Sequence, residues 1–225
     1  MKKIAVILSG CGVYDGAEIH ESVLTLLAIE QQDAKYRCFA PDISQHHVVN
    51  HLTGQVTEES RNVLVEAARI ARGDIESLSE LYADEFDALI VPGGFGAAKN
   101  LSNFALIDTS DSSSINDNIT INEQVLASCQ QFVNAKKPIG FMCIAPVMIP
   151  LIYGEGATGT IGADRDVAAA TEALGLIHQS CPVDDVVVDV ERKLVTTPAY
   201  MLAMSLTEAA SGINKLVDKV IALTE

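Results

Sequence analysis

The stretch Asp-Ala-Leu-Ile-Val-Pro-Gly-Gly, residues 87–94, joins a fully apolar strand to a turn of proline and glycine. A strand without a polar face is typical of a parallel sheet that helices cover on both sides. Two other segments have the same form: a strand over residues 3–9 leads into a glycine-rich turn, and one over 138–142 leads into Cys143. Together they predict a sheet in which the turns that follow the strands carry the candidate functional residues.

Helical patterns alternate with these strands along the rest of the chain. The pattern predicts helices over 17–31, 57–72, 119–135, 165–174 and 206–223, and further strands over 36–40, 186–190 and 194–197. The last two strands are expected to form a hairpin, and residues 108–118, rich in Asp and Ser, a surface loop. The order predicts the α/β class: one domain over residues 1–225, with a mostly parallel sheet sandwiched by helices.

Composition and charge narrow the possible partners. The formal net charge is −15, and no run of Lys or Arg interrupts it. We therefore expect no nucleic-acid and no anionic membrane partner, since both need clustered cations. No stretch approaches the roughly 20 apolar residues of a membrane span, and the apolar run over residues 4–8 is too short for a signal peptide. These features predict a cytoplasmic protein.

Five cysteines occur, at positions 11, 38, 129, 143 and 181. Their number is odd and no pair has CxxC spacing, so neither a disulfide framework nor a zinc site is predicted. In a reducing compartment, each thiol is either core filler or a reactive group.

The first turn, Gly10-Cys11-Gly12-Val13-Tyr14-Asp15-Gly16, lies where dinucleotide-binding proteins hold their phosphates, and Asp42 follows the next strand. Its spacing is GxGxxxG rather than GxGxxG, and Asp15 would repel a phosphate. A nucleotide-binding dehydrogenase is therefore the weaker interpretation.

The same turn leads to Glu18, His20 and Glu21 at the start of a helix. Acids in a first helical turn often only complement the helix dipole. Either carboxylate could also act as a general acid or base at the carboxyl edge of the sheet, whereas His20 alone is more typical of an exposed residue.

Cys143 ends a buried strand, and a short apolar helical segment follows it. Such a nucleophile elbow aims the thiol out of the sheet at a helix N-terminus, where partial positive charge favours the thiolate. An ordinary thiol, with a pKa of about 8.5, is only a few per cent ionised at neutral pH, so a reactive Cys143 is expected to have a lowered pKa. In the turn over residues 92–96, backbone N–H groups between glycines can hold an oxyanion.

Several motifs together resemble the ThiJ/PfpI superfamily. Two carry the resemblance: Ala-Leu-Ile-Val-Pro-Gly-Gly-Phe-Gly-Ala-Ala-Lys-Asn-Leu (88–101) and Lys-Pro-Ile-Gly-Phe-Met-Cys-Ile-Ala-Pro (137–146). Residues 7–21, 181–185 and Val-Thr-Thr-Pro-Ala-Tyr (195–200) are similar to the ElbB-like glyoxalases within that group. The resemblance covers essentially the whole chain. It implies a flavodoxin-like, class I glutamine amidotransferase-like fold, a homodimer and a link to isoprenoid biosynthesis.

The resemblance also implies the site. It places the nucleophile on Cys143 and its carboxylate partner on Glu21, with Glu18 as the second candidate. The oxyanion donors fall on the backbone N–H groups of Gly94 and Ile144. No metal and no cofactor is implied.

One departure from the superfamily pattern concerns histidine. Many members carry a histidine shortly after the elbow helix, but residues 159–164 contain none, and His178 comes later near a predicted strand. A Cys–His–acid triad and peptidase activity are therefore not expected. Glutamine amidotransferase activity is not expected either, because no downstream His–Glu pair is evident.

The resemblance thus implies a glyoxalase-type lyase that converts glyoxal or methylglyoxal, both small 2-oxoaldehydes, to the 2-hydroxy acid without glutathione. Deglycation of early adducts is a related activity. The alternative is a non-enzymatic redox-sensing or chaperone-like protein that uses the same reactive cysteine.

Overall fold

The computed structural model describes residues 1–107 and 118–225. Its strands are β1 (Lys3–Ile7), β2 (Lys35–Ala40), β3 (Val49–Asn50), β4 (Gln55–Val56), β5 (Ile75–Ser77), β6 (Ala88–Val91), β7 (Ile139–Met142), β8 (Thr158–Gly159), β9 (Ile177–His178), β10 (Val187–Asp189) and β11 (Leu194–Thr197). Its α-helices are α1 (Ile19–Gln31), α2 (Val63–Ile70), α3 (Glu123–Asn134), α4 (Ile149–Tyr153), α5 (Arg165–Ala173) and α6 (Leu206–Ala222). The loop predicted over 108–118 lies, apart from Asn118, outside the described residues.

Seven strands form the central sheet in the order β10-β11-β7-β6-β1-β2-β5. All neighbours are parallel except β10 and β11, which form the predicted antiparallel hairpin. The chain leaves β1 toward β2 on one side and later returns to β6 on the other side. This reversal opens a crevice at the carboxyl ends of β1 and β6, where ligands of such sheets bind.

The sheet is buried on both faces, as its apolar strands predicted. One face packs against α1, α2 and α6 through residues such as Ile29, Val63 and Leu216. The opposite face packs against α3 and α4 through Phe132 and Ile149. Full burial of one such side chain contributes about 1.5–3 kcal/mol to the stability of the fold, so the helices on both faces stabilise the sheet. The predicted fold class is confirmed.

The boundary of α2 differs from the prediction. The helix expected over 57–72 begins only at Val63, because Asn62 is its N-cap and accepts a hydrogen bond from the Val65 N–H at 3.0 Å. The Thr57 N–H instead donates to the Val48 carbonyl at 2.8 Å and closes the β3–β4 hairpin. The helix thus begins after the N-cap Asn62, and Thr57, which the sequence suggested as its start, belongs to the hairpin instead.

Candidate functional site

Cys143 lies directly after β7, at the carboxyl edge of the sheet. Its backbone has φ +59°, a left-handed conformation that costs a non-glycine residue energy and that is typical of strained functional turns. The turn is held by the Cys143 N–H, which donates to the Thr197 carbonyl at the end of β11 at 3.1 Å. A 3₁₀ turn over Ala145–Met148 follows and continues into α4. The geometry is that of a nucleophile elbow.

Glu21 lies in the first turn of α1 and is completely buried. Both carboxylate oxygens are held by main-chain donors: the Gly93 N–H reaches Oε2 at 2.9 Å, and the Tyr200 N–H reaches Oε1 at 3.2 Å. The carboxyl group is also hydrogen-bonded to the thiol of Cys143. Three separate turns therefore fix one carboxyl group against the sulfur.

Glu18, the second candidate for that role, has another position. Its side chain caps α1, with Oε2 accepting a hydrogen bond from the Glu21 N–H at 2.6 Å. It is nearly buried and lies close enough to raise the pKa of Glu21. The structure thus brings Glu21 against the thiol and leaves Glu18 as an anionic neighbour.

The protonation of the pair follows from its burial. Burial, and then the negative charge of Glu18, raise the pKa of Glu21 to about 7, against the opposing hydrogen bonds from Tyr200, Cys143 and Gly93. A carboxyl group with this pKa can both accept and donate a proton at neutral pH. Glu21 therefore has the acidity that a proton shuttle requires.

The thiol itself differs from the sequence prediction. Burial and the Glu21 carboxylate raise the pKa of Cys143 well above its usual range, and the N–H groups of Gly94 and Ile144 only partly oppose this. The predicted lowering of the thiol pKa is therefore wrong for the resting protein, because desolvation outweighs the short helical turn that follows. The sulfur can lose its proton only to a close acceptor, and Glu21 is such an acceptor.

Gly94 and Ile144, which the sequence predicts as oxyanion donors, both lie beside Cys143, and their role stays a prediction. Their backbone N–H groups lie within hydrogen-bonding reach of the Cys143 sulfur and lower the pKa of the thiol. Gly94 has φ +92°, and a Cβ there would lie 2.3 Å from the Glu18 nitrogen. A side chain at residue 94 would thus displace the turn that supplies one of the donors.

A cavity of about 370 Å³ opens beside the sulfur. Its apolar side is formed by Val13, Phe95, Ile144, Val167 and Met201. The polar side chains at its wall are Glu18, Asp164 and Tyr200. Among the described residues that bound it, none is Lys, Arg or His, so the cavity favours a small uncharged molecule over an anion.

In the turn over residues 10–16, Asp15 forms hydrogen bonds within the protein. Asp15 is buried, and its Oδ2 accepts a hydrogen bond from the Val49 N–H at 2.7 Å. A Cβ on Gly16 would lie 2.4 Å from the Cys11 nitrogen, so the last glycine of the turn is needed for packing. Asp42 accepts from the Asn62 side chain at 2.7 Å. These contacts explain the glycines and acids without a nucleotide.

In the described part of the chain, neither His20 nor His178 is hydrogen-bonded to Cys143. His178 lies in β9, and its Nε2 is buried without a hydrogen-bond partner among the described residues. His20 is more than half exposed, and its Nδ1 lies 2.9 Å from the hydroxyl oxygen of Tyr200. In the described part of the chain, no group of His, Cys, Asp and Glu side chains is arranged to hold a metal ion, and the five thiols are free.

Sequence reasoning missed two residues that build the site. Gly93 donates to Glu21, and a Cβ there would lie 2.4 Å from the Cys143 Cβ, so only glycine leaves room for the pair. Tyr200 supplies the second donor to Glu21. The motif over residues 195–200 marked its position, but nothing in the sequence connected it with Glu21.

Comparison with known proteins gives the family. No family model matches the chain. A rat protein, the "ES1 protein homolog, mitochondrial", is 44% identical over 99% of this chain and 84% of its own length. A crystal structure from Ehrlichia chaffeensis, an "isoprenoid biosynthesis protein with amidotransferase-like domain", is 34% identical with a TM-score of 0.89, and all of both chains is covered.

More distant structures share the fold alone. Drosophila melanogaster DJ-1beta is 15% identical, with a TM-score of 0.55 over 99% of this chain and 95% of its own. It shows the fold that the ThiJ/PfpI resemblance implied, and the Ehrlichia structure confirms the amidotransferase-like comparison.

One prediction is overturned by these names. The rat, human and zebrafish relatives are all named as mitochondrial proteins, so the predicted cytoplasmic location is wrong. In the described residues, no helix has the length and apolar character that crossing a membrane requires. At the identity and coverage found for the rat relative, the chain belongs to the ES1 family of amidotransferase-like proteins.

Proposed function

We propose that this protein is a glutathione-independent glyoxalase in which Cys143 is the nucleophile and Glu21 the proton shuttle. The observation that carries the proposal is the Glu21 carboxyl group. It is buried against the thiol, has a pKa of about 7, and is held by two main-chain donors. Such a group is suited to moving one proton between neighbouring atoms.

In the first step, the sulfur of Cys143 attacks the aldehyde carbon of glyoxal or methylglyoxal, and a C–S bond forms. The thiol proton passes to the Glu21 carboxylate and from there to the aldehyde oxygen, which gives a hemithioacetal. Because the proton stays within the pair, the raised pKa of Cys143 does not prevent the attack. The N–H groups of Gly94 and Ile144 stabilise the oxygen as negative charge develops.

In the second step, Glu21 removes the hydrogen on the attacked carbon and delivers a proton to the neighbouring carbon. The former ketone oxygen becomes a hydroxyl group, and the attacked carbon becomes a thioester carbonyl, so no oxidant is needed. Water then breaks the C–S bond, releases the 2-hydroxy acid and restores the thiol. A carboxyl group with a pKa near neutrality performs both proton transfers without loss of driving force.

The cavity supports a small, uncharged substrate. Its apolar side suits the methyl group of methylglyoxal, whereas Glu18 and Asp164 at its wall disfavour carboxylate and phosphate substrates. The predicted 2-oxoaldehyde substrate and homodimer stay predictions.

The test is the consumption of glyoxal and methylglyoxal without glutathione, with the wild type compared to Cys143→Ala and Glu21→Gln. We expect turnover by the wild type and a loss of at least about 10³-fold in each variant, since the two groups act as a unit. Glu66→Gln is the matched control, because Glu66 is also a buried helical glutamate but pairs with Arg69 at 2.9 Å, on α2.

The alternative, a non-enzymatic redox-sensing or chaperone-like protein, needs a reactive thiol but no proton shuttle. Its support from the sequence was a low thiol pKa, whereas burial and Glu21 raise the pKa of Cys143. A wild-type protein that consumes neither aldehyde, or a Cys143→Ala variant that stays active, would overturn the glyoxalase proposal and favour this alternative.

A further inference from the structure

Tyr200 contributes to the site in two ways. Its main-chain N–H donates to Glu21 Oε1 at 3.2 Å, and its side chain forms part of the cavity wall together with Cys143. The preceding residue, Ala199, is completely buried and has φ +45°. A strained, buried residue at this position turns the main chain so that residue 200 faces Glu21. The proposed shuttle uses only the main chain of Tyr200 and leaves its hydroxyl group without a role.

That hydroxyl group belongs to a short polar chain that leads out of the cavity. Its oxygen lies 2.9 Å from Nδ1 of His20, whose side chain is more than half exposed. The same Nδ1 is 3.9 Å from the carboxylate of Glu18, which also lines the cavity. The contacts therefore connect the cavity wall to an imidazole that is exposed to solvent.

The phenol keeps its proton in this setting. Burial, and then the carboxylates of Glu18 and Glu21, raise the pKa of Tyr200 above its usual range. A protonated phenol next to an apolar cavity is a hydrogen-bond donor toward a bound carbonyl oxygen. In the described lining of the cavity, no other side-chain hydroxyl is present, so this donor has no substitute there.

The proposed mechanism also contains a task that no residue has been assigned. When Glu21 removes the hydrogen on the attacked carbon, negative charge develops on the neighbouring ketone oxygen. The N–H groups of Gly94 and Ile144 interact with the sulfur, and the proposed first step assigns them to the oxygen on the attacked carbon. A second donor at the cavity wall would stabilise the ene-diol intermediate.

Building on the proposed glyoxalase function, we propose that Tyr200 is a further catalytic residue that donates its phenol proton to the ketone oxygen of the bound 2-oxoaldehyde, and that His20 returns a proton to Tyr200 from solvent. The O–H bond of Tyr200 breaks as the O–H bond of the ene-diol forms. His20 then protonates the phenolate and is itself reprotonated by water. When the thioester carbonyl forms, the hydroxyl on the attacked carbon releases one proton to solvent, so the protons balance.

The first variant is Tyr200→Phe, which keeps the ring and the main-chain donor to Glu21 and removes only the hydroxyl group. We expect kcat/KM for methylglyoxal to fall about 10²-fold, as for the loss of one preorganised donor. The rate at which iodoacetamide alkylates Cys143 should stay within about twofold of the wild type, since the Cys143–Glu21 pair is untouched. Tyr14→Phe is the matched control: its ring also lies next to a histidine, His51, but it does not line the cavity.

The second variant, His20→Ala, tests the relay independently of Tyr200. Its kcat should fall about tenfold and should recover when imidazole is added to the buffer, which a merely structural role would not show. A Tyr200→Phe enzyme with unchanged kcat/KM, or a His20→Ala enzyme that imidazole does not rescue while wild-type turnover is normal, would overturn this assignment and leave the Cys–Glu mechanism intact. A wild type that consumes neither aldehyde would overturn both.

Discussion

Cys143 and Cys129 are two buried thiols in different surroundings. Both are nearly or completely inaccessible to solvent, and burial raises the pKa of both. Cys129 lies on α3 within the apolar core, where burial is the sole cause and raises its pKa to about 12. Cys143 lies at the sheet edge and faces a carboxyl group, two N–H donors and a cavity. Burial alone thus suppresses the ionisation of a thiol, whereas a neighbouring carboxylate offers an acceptor for its proton.

The physical difference is where the proton can go. Ionisation of Cys129 would leave an uncompensated negative charge in the core, which is the costliest arrangement for a buried group. In the proposed mechanism, the Cys143 proton moves only as far as Glu21, so the pair keeps the same net charge before and after the transfer. The N–H groups of Gly94 and Ile144 then stabilise the sulfur anion.

Serine substitutions at the two positions should have opposite consequences. Cys143→Ser is expected to lower kcat/KM for methylglyoxal by at least about 10³-fold, because a hydroxyl group is far harder to deprotonate than a thiol. Cys129→Ser should keep activity within about twofold but lower the free energy of unfolding by about 1–2 kcal/mol, since it places a hydroxyl group in an apolar core. Steady-state kinetics and urea denaturation measure the two effects. Equal activity losses at both positions would contradict the distinction.

Gly93 lets the thiol and the carboxyl group touch, and Gly93→Ala tests this. An added Cβ would lie 2.4 Å from the Cys143 Cβ and 2.7 Å from Glu21 Oε2, so the pair must separate. A displacement of about 1 Å is expected to lower kcat about 10²-fold. Gly159→Ala is the matched control, because its Cβ would lie 3.3 Å from the Thr196 side chain, so a shift of only a few tenths of an ångström is needed, and neither Cys143 nor Glu21 is among its nearest neighbours. Comparable kinetics for the two alanine variants would show that contact within the pair is dispensable.

The sequence predicted the parts of the fold that follow from periodicity. The central strands have apolar residues throughout, and the hairpin before α6 lies within one residue of its predicted bounds. The short strands β3, β4, β5, β8 and β9 were not predicted, because two or three residues are too few to show a periodicity of apolar side chains. Such strands form only when the rest of the sheet or a turn provides their partner.

The candidate site was predictable where one motif contained the whole signal. The elbow at Cys143 and the acids at the start of α1 were recognised on their own stretches of sequence. The contact of Tyr200 with Glu21 joins residues 179 positions apart and depends on the left-handed backbone of Ala199. The thiol pKa was mispredicted for a related reason: a sequence shows that a helical turn follows Cys143, but not how completely water is excluded.

The smallest expected difference between the two thiol environments is in how the free energy of unfolding depends on pH, because only Cys143 lies beside a carboxyl group that titrates near neutrality. Glu21 has a pKa of about 7 in the folded protein, compared with an ordinary value of 4.5. Between these two pKa values, the folded state binds more protons than the unfolded state. The contribution of Glu21 to the free energy of unfolding is therefore complete below pH 4.5 and is lost as the pH rises through 7. The whole difference corresponds to about 3 kcal/mol, of which about 2 kcal/mol falls between pH 5 and pH 7.

Urea denaturation at pH 5, 6 and 7 measures this contribution as the difference between wild type and Glu21→Gln, because the other titrating groups cancel. Glutamine carries no titrating carboxyl group, so the free energy of unfolding of the wild type should decline by about 2 kcal/mol more over this range than that of the variant. Cys129→Ala should decline in parallel with the wild type, since burial raises the pKa of Cys129 to about 12 and the thiol does not titrate below pH 7. Parallel curves for wild type and Glu21→Gln would mean that Glu21 titrates at an ordinary carboxyl pKa and cannot act as the shuttle.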